Sequence, residues 1–353
     1  MKINITRRII QMGALIFSAA TMITSCNKEL PDAVPIVVPP PTGQSIGNLI
    51  STDTSYSILK AALTKAGLLN GLLDSTALYT VFAPNNDAFR LSGIPSAAVI
   101  NALPTAQVAA IASYHIIGGQ AFTTSLIPTS FPNLQLPTAL VLQAPLFRMS
   151  IFPSKRGSAA WANNIPLIAT DKQMSNGIIH NPVALISPPS LTIKQIATAD
   201  TTLSYFLAAV ARADSGQTGL GRFDSLLNYP PVNFTVFAPT NQAFRNALVF
   251  LGLPPSPAAF NFVPVSTARG IVAYHFMGTR AFSVNFPATP TDLPTLLQLS
   301  PTSPPLTVKA QFTGLSFTVL GNGNFGFPSN VVQADIHAIN GTVQKIDQVL
   351  LPQ

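Results

Sequence analysis

The feature that most constrains this chain is an internal duplication. Residues 79–89 read Tyr-Thr-Val-Phe-Ala-Pro-Asn-Asn-Asp-Ala-Phe, and residues 234–244 read Phe-Thr-Val-Phe-Ala-Pro-Thr-Asn-Gln-Ala-Phe. Tyr114-His115 recurs as Tyr274-His275, and Asn176-Gly177 as Asn340-Gly341, in the same order. The separation between copies widens from 155 to 160 to 164 residues. Such a drift marks two diverged copies of one domain, whereas stacked short repeats keep a fixed small period. A chain of 353 residues is long enough for two cores of ordinary size. The boundary falls at Ser187-Pro188-Pro189-Ser190, which gives domains at 45–189 and 190–353.

Each copy reads alike along its length. Apolar residues at helical spacing (Leu59, Leu63, Ala66; Leu203, Leu207, Val210) predict helices within 46–73 and 191–227. Val-Phe running into Pro84 or Pro239 predicts a strand that gives way to a helix, with Asn85 or Thr240 as N-cap and Phe89 or Phe244 anchoring the first turn. Asp87 suits a helix start, but Gln242 stands in its place in the second copy, so charge there is optional. Residues 108–114 and 268–274 read as helices feeding short strands that stop at Gly118 and Gly278. β-like segments follow at 147–152, 165–170, 314–320 and 331–336. Asn176-Gly177 and Asn340-Gly341 signal tight turns, and 342–351 reads as a closing strand.

The N-terminus speaks to compartment. Lys2, Arg7 and Arg8 precede an apolar run at 9–23, too short to span a bilayer but suited to a signal peptide. The run ends in Ile23-Thr24-Ser25-Cys26, which resembles the lipobox of bacterial lipoproteins, with Ile where Leu is usual. That resemblance implies a signal peptide at 1–25 and Cys26 as the acylated, palmitate-bearing first residue of the mature chain. Cys26 is also the sole cysteine, so no disulfide can form within the chain. The resemblance implies that residues 26–44 are a lipid-anchored tether, and their prolines predict an extended polyproline II spacer. Lys28-Glu29 weakly resembles the surface-export signal of Bacteroidetes lipoproteins. The expected location is therefore extracytoplasmic, lipid-anchored to the bacterial outer membrane on either its periplasmic or its cell-surface face.

Composition narrows the function. Charged residues make up 9% of the chain, against about 25% in typical soluble proteins, so the surface must be built largely from Ser, Thr, Asn, Gln and Pro. Of the formal charge of +7, three cations sit in the first 25 residues with no acid among them, leaving +4 for the remainder. With no Lys/Arg cluster, nucleic acid is excluded as a partner. No nucleophile elbow, Walker loop, His-Glu-x-x-His, cysteine zinc pattern or calcium loop occurs. The reading is therefore of a non-enzymatic protein without cofactors.

The duplicated strings, taken with Ser175-Asn176-Gly177-Ile178-Ile179-His180 and the stretches 331–336 and 340–352, resemble the signature regions of fasciclin-like domains. The resemblance covers both copies, about 310 residues. It implies an α+β fold of two tandem domains, each a β-wedge packed with several helices. It also implies a role in adhesion or in contact with surface or matrix proteins or polysaccharides. The first copy departs from the pattern, with Asn181-Pro182-Val183 where the second has Lys345-Ile346-Asp347. Pro182 must then lie where no ladder N–H is needed.

Among candidate site residues, His115 and His275 hold equivalent places beside Tyr114 and Tyr274, where an imidazole satisfies buried backbone groups. His180 is replaced by Gln344 in the sister copy, which argues against a base required in both. Asp171 and Asp335 each lie five residues before an Asn-Gly pair, and Asp is expected to hold that turn by local hydrogen bonds. In adhesive fasciclin-like domains of animals an Asp-Ile pair and a Tyr-His region are linked to receptor binding. Asp335-Ile336 and Tyr274-His275 resemble these, whereas the first copy has Asp171-Lys172. Asp335 and His337, on alternate strand positions, read as an exposed polar edge before they read as metal ligands. An alternative role, glycan or ligand capture for an outer-membrane uptake system, would need aromatics in a cleft, and Trp161 is the only tryptophan.

Overall fold

The computed structural model describes residues 43–129, 134–142 and 147–353. Cys26, the signal-like segment and nearly all of the tether lie outside the described residues. The folded part opens with helices α1 (Ile46–Thr52) and α2 (Ser57–Lys65), which precede strand β1 (Tyr79–Phe82). Helices α3 (Asn86–Leu91), α4 (Ala97–Ala102) and α5 (Thr105–Tyr114) lead to β2 (Ile116–Gly118). Then come β3 (Leu136–Val141), β4 (Arg148–Ile151), β5 (Pro153–Arg156), β6 (Ala159–Ala162), β7 (Ile165–Met174) and β8 (Gly177–Pro182).

The second copy repeats the order. Helices α6 (Ile193–Ala199), α7 (Ser204–Ala213) and α8 (Phe223–Leu227) precede β9 (Phe234–Pro239). Helices α9 (Asn241–Phe250) and α10 (Val265–Tyr274) lead to β10 (Phe276–Met277), then β11 (Thr291–Pro294), β12 (Thr307–Phe312), β13 (Phe317–Leu320), β14 (Ser329–Ala338) and β15 (Gly341–Ile346).

The two sheets share a plan. In the first the order is β2-β1-β8-β7-β6-β5, with β3 and β4 as a separate hairpin; in the second it is β10-β9-β15-β14-β13-β12-β11. The repeated Thr-Val-Phe strand lies inside the sheet, antiparallel to β2 or β10 and parallel to the closing strand β8 or β15. A strand in that place is covered on both faces, so its residues are nearly all apolar. Val81 faces the helices, packing with Leu59, Phe89 and Ile116, while Phe82 faces the hairpins with Ile117 and Ile151. Val236 and Phe237 divide in the same way. Burying each such side chain is worth about 1.5–3 kcal/mol.

The strand-to-helix corner forms as the sequence predicts. Asn85 and Thr240 accept from the backbone N–H of Ala88 and Ala243, at 2.9 and 3.3 Å, and Phe89 and Phe244 are buried. Two expectations change. The closing strand of the second copy ends at Ile346 rather than 351, where Asp347 leaves the ladder to accept from Asn330 and Ser329. The tight turn is Ser175-Asn176 in one copy and Ile339-Asn340 in the other, with each glycine already in the following strand.

Those glycines are required by close approach. Gly177 and Gly341 have positive φ (142° and 159°), and a Cβ on either would collide with the carbonyl oxygen of Tyr79 or Phe234. The preceding asparagines are buried hubs. The Asn176 amide oxygen accepts from Ile46 N–H at 2.8 Å, and its NH2 donates to Leu72 and Asp74 carbonyls. Asn340 does the same with Ile193, Leu226 and Leu227. The Asn-Gly pair therefore joins the first helix of each domain to its sheet. Pro182 lies at the end of β8, beyond the last β1 partner, so its missing N–H breaks no bond of the parallel ladder.

Candidate functional site

The Tyr-His pairs are interior in both domains. Helix α5 ends at Tyr114 and α10 at Tyr274, and the histidine that follows is the C-cap. His115 is 1% exposed; its Nδ1 bonds the Ile111 carbonyl at 2.8 Å, and its Nε2 accepts from Ile186 N–H at 3.1 Å. His275 repeats this with Ile271 (2.7 Å) and Leu350 (3.0 Å). Nδ1 therefore carries the proton, and each ring ties a helix end to the segment that follows the closing strand. Burial pulls both imidazoles down to about 4, so they are neutral at physiological pH. Tyr114 donates to the Ser150 carbonyl, accepts from Asn163, and is pushed up to about 12 by burial. Tyr274 donates to Thr307 and accepts from Asn322 N–H. These groups lie inside the domain with their hydrogen-bonding capacity in use.

Asp171 and Asp335 do not hold the Asn-Gly turn. Each sits at a bulge of its long strand with φ 60°, and its carboxylate reaches across to the short 3-10 turn after β2 or β10. Asp171 accepts from the Thr124 N–H and hydroxyl, and Asp335 from the Ser283 N–H and hydroxyl. The backbone N–H of Asp171 donates to His180 Nδ1 at 3.2 Å, and that of Asp335 to Gln344 Oε1 at 2.8 Å. On the far side His180 Nε2 donates to the Phe122 carbonyl, as Gln344 Nε2 does to Ala281. Histidine and glutamine thus perform one structural task, an acceptor and a donor held at matching points.

Ile336 packs partly against the second domain's core. His337 Nε2 faces the Arg280 guanidinium at 2.9 Å, and Asp335 is bound to Ser283, so the two are engaged separately. No group of three or more His, Cys, Asp or Glu suited to a metal occurs among the described residues. Trp161 lies on β6 opposite Ser154 and Pro166, partly exposed.

Two arginines that the sequence reading passed over join the domains. Arg156, at the end of β5, donates to the Val284 carbonyl at 2.8 Å, to Phe312 at 3.1 Å and to Phe286, and lies 5.2 Å from the Phe312 ring centre. In the opposite direction Arg280 lies 4.7 Å from the ring centre of Phe152 while donating to the Ile339 carbonyl at 2.6 Å. Asn285 donates to the Ser154 hydroxyl, and Phe152 meets Phe282 at 6.4 Å between ring centres. Arg280 is 3% exposed; burial lowers it to about 10, so it remains cationic at neutral pH. The available signal was a difference between copies, since residue 121, at the position of Arg280, is alanine.

This duplicated architecture, a curled sheet packed with helices and pinned by Asn-Gly and Tyr-His, defines two tandem FAS1 domains. The chain belongs to the fasciclin domain family, which matches at residues 54–181 and 203–352. Transforming growth factor-beta-induced protein ig-h3 of Sus scrofa is 29% identical over 152 residues, 43% of this chain but 20% of that protein. The chain thus spans about a fifth of that relative's length. An uncharacterized Synechocystis protein is 30% identical over 145 residues, covering 38% of this chain and 92% of its own. A solved FAS1 domain pair from the insect cell adhesion molecule fasciclin I covers 86% of this chain and 95% of that one, at 17% identity and a TM-score of 0.38.

Proposed function

We propose that this chain is a lipid-anchored surface protein of the bacterial outer membrane, held through acylated Cys26, whose fasciclin domains mediate adhesion to partner cells or matrix without catalysis. The observation that carries this reading is the employment of the Tyr-His pairs: in both domains the groups most suited to chemistry are buried and bonded to backbone. What the domains offer outward is a weakly charged surface that also exposes large apolar side chains such as Phe250, Phe262 and Leu315, and the arginine seam gives the two copies a common frame. Adhesion through such a surface rests on shape and hydrogen bonds more than on ion pairs. It should therefore survive 1 M salt, which screens exposed charges beyond about 3 Å.

The test is retention of the intact protein on matrix polysaccharide or partner cells at low and high salt, with Cys26→Ser as the release variant. Retention should persist in salt, and the variant should leave the membrane fraction and take up no labelled palmitate. Turnover of a small substrate that depends on His115 or His275 would overturn the adhesion reading, and unchanged membrane partition of the variant would overturn the anchor.

A further inference from the structure

The hydrogen-bond framework aligns the two domains residue by residue, and at one place their surfaces diverge. Thr138 donates to the Met149 carbonyl and accepts from Leu140 N–H; Thr295 does the same with Leu306 and Leu297, at the same distances of 2.7 and 3.2 Å. Ala139 therefore corresponds to Leu296, and Arg148 to Pro305. Thr80 and Thr235 donate to the Gln120 and Thr279 carbonyls, which pairs Gln120 with Thr279 and, one residue earlier in the strand, Tyr79 with Phe234.

In the second domain the large residues pack together. Phe234 is 9% exposed and meets Phe276 edge-on at 5.8 Å, and the Leu296 side chain lies 3.4 Å from where a Cβ on Gly278 would stand. In the first domain the space above Gly118 is open. A groove of about 580 Å³ results, walled by Leu68, Leu72 and Ile116 and bearing three polar groups, Tyr79, Gln120 and Arg148. Among the described residues the Tyr79 hydroxyl and the Gln120 amide have no hydrogen-bond partner. Among the same residues Arg148 has a single long contact, 3.4 Å to the Thr138 carbonyl, and no carboxylate within 4 Å.

We propose that this groove of the first domain binds a small carboxylate with an apolar body. A mostly apolar concavity with a few converging polar groups is the usual form of a small-molecule site. The charge selects the class: a guanidinium without an acidic partner matches a carboxylate, to which it donates charge-assisted hydrogen bonds. The apolar wall takes the carbon skeleton, and the tyrosine hydroxyl and glutamine amide serve further ligand oxygens. The second domain, with Phe234, Thr279, Leu296 and Pro305 at the four positions, keeps a smaller concavity of about 440 Å³ beside Gly278 and Leu296, and it lacks the cation.

Titration of the intact protein with phenylacetate, and with phenylacetamide as the neutral twin, tests the assignment by calorimetry and by NMR shift changes. Phenylacetate should bind saturably, at least about fivefold tighter than the amide, with shift changes confined to the first domain. Arg148→Gln should reduce the acid to the affinity of the amide. Ala139→Leu, which installs the second domain's residue, should weaken both ligands at least about tenfold, and Tyr79→Phe offers a second, smaller change should that variant fold poorly. Absence of saturable binding, equal affinity for acid and amide in the unaltered protein, or full binding by a folded Ala139→Leu protein would each overturn the proposal.

Discussion

The two domains keep the same bonds with different residues, and they part company where no bond is at stake. His180 and Gln344 share no chemistry beyond an acceptor and a donor at a fixed spacing, yet both connect the bulge at Asp171 or Asp335 to the segment after the edge strand. The next position is the exception, where the bond itself changes: Asn181 donates to the Tyr56 hydroxyl, whereas Lys345 makes a 2.7 Å ion pair with Asp200. Helix α3 has six residues and α9 has ten, and each is followed by a glycine with positive φ, Gly93 or Gly252. Four added residues are roughly one turn, so the entry and exit of the helix are preserved while Phe250 is left exposed at its end. That inserted turn supplies most of the first widening of the offset between copies. The comparison teaches that in this fold the backbone-satisfying network is fixed and the outer faces are free to diverge.

Breaking the shared network should have the largest effect and should affect both copies equally. Gly177→Ala or Gly341→Ala forces a Cβ into a carbonyl of the neighbouring strand at positive φ, and each should destabilise its domain by more than about 3 kcal/mol. Urea unfolding of the intact chain, with hydrogen exchange to assign the loss to one domain, reads this directly. If one substitution were mild and the other severe, the copies would differ in the very joint they share.

Acid should come next. A buried neutral histidine with a folded-state value of about 4, against about 6.5 when unfolded, stabilises the fold fully above pH 6.5, and the unfolded chain takes up the proton first as pH falls. The contribution of His115 and of His275 is therefore lost between pH 6.5 and about 4, on the order of 3 kcal/mol each. Stability measured from pH 7 to pH 4.5 should fall in both domains. His115→Ala and His275→Ala should be about 1–3 kcal/mol less stable at pH 7 and should show a flatter pH profile in the altered domain. A profile unchanged by either substitution would show that the rings do not carry the pH dependence.

Exchange of equivalent residues should have the smallest effect. His180→Gln and Gln344→His each replace one acceptor-donor pair by the other, and each should change stability by less than about 1 kcal/mol. Loss of more than about 2 kcal/mol in either direction would mean that the surrounding packing, rather than the two hydrogen bonds, selects the residue.

How much was legible in the sequence follows from the range of each interaction. The duplication, the strand-to-helix corner with its caps and aromatic anchors, and the helical opening of each domain rest on contacts within a few residues and on periodicity, so they were readable. The structural employment of His115 and His275 was readable too, because two copies at a helix end pointed to one backbone task. The placement of Asp171 and Asp335 was not legible. Their bonds run 47 and 52 residues back along the chain to Thr124 and Ser283, and a local turn was the nearest explanation at hand.

The amino-acid sequence by itself determined that there are two domains of one family and where each central strand runs, because those depend on local sterics and on repetition. Only the tertiary structure decided that Asn176 and Asn340 bind the opening helices and that Arg156 and Arg280 join the copies. It also decided that Tyr79, Gln120 and Arg148 share a groove that is narrower and without a cation in the second domain. Each of these is a meeting of segments far apart in the chain, set by sheet order and side-chain packing, which no local pattern encodes.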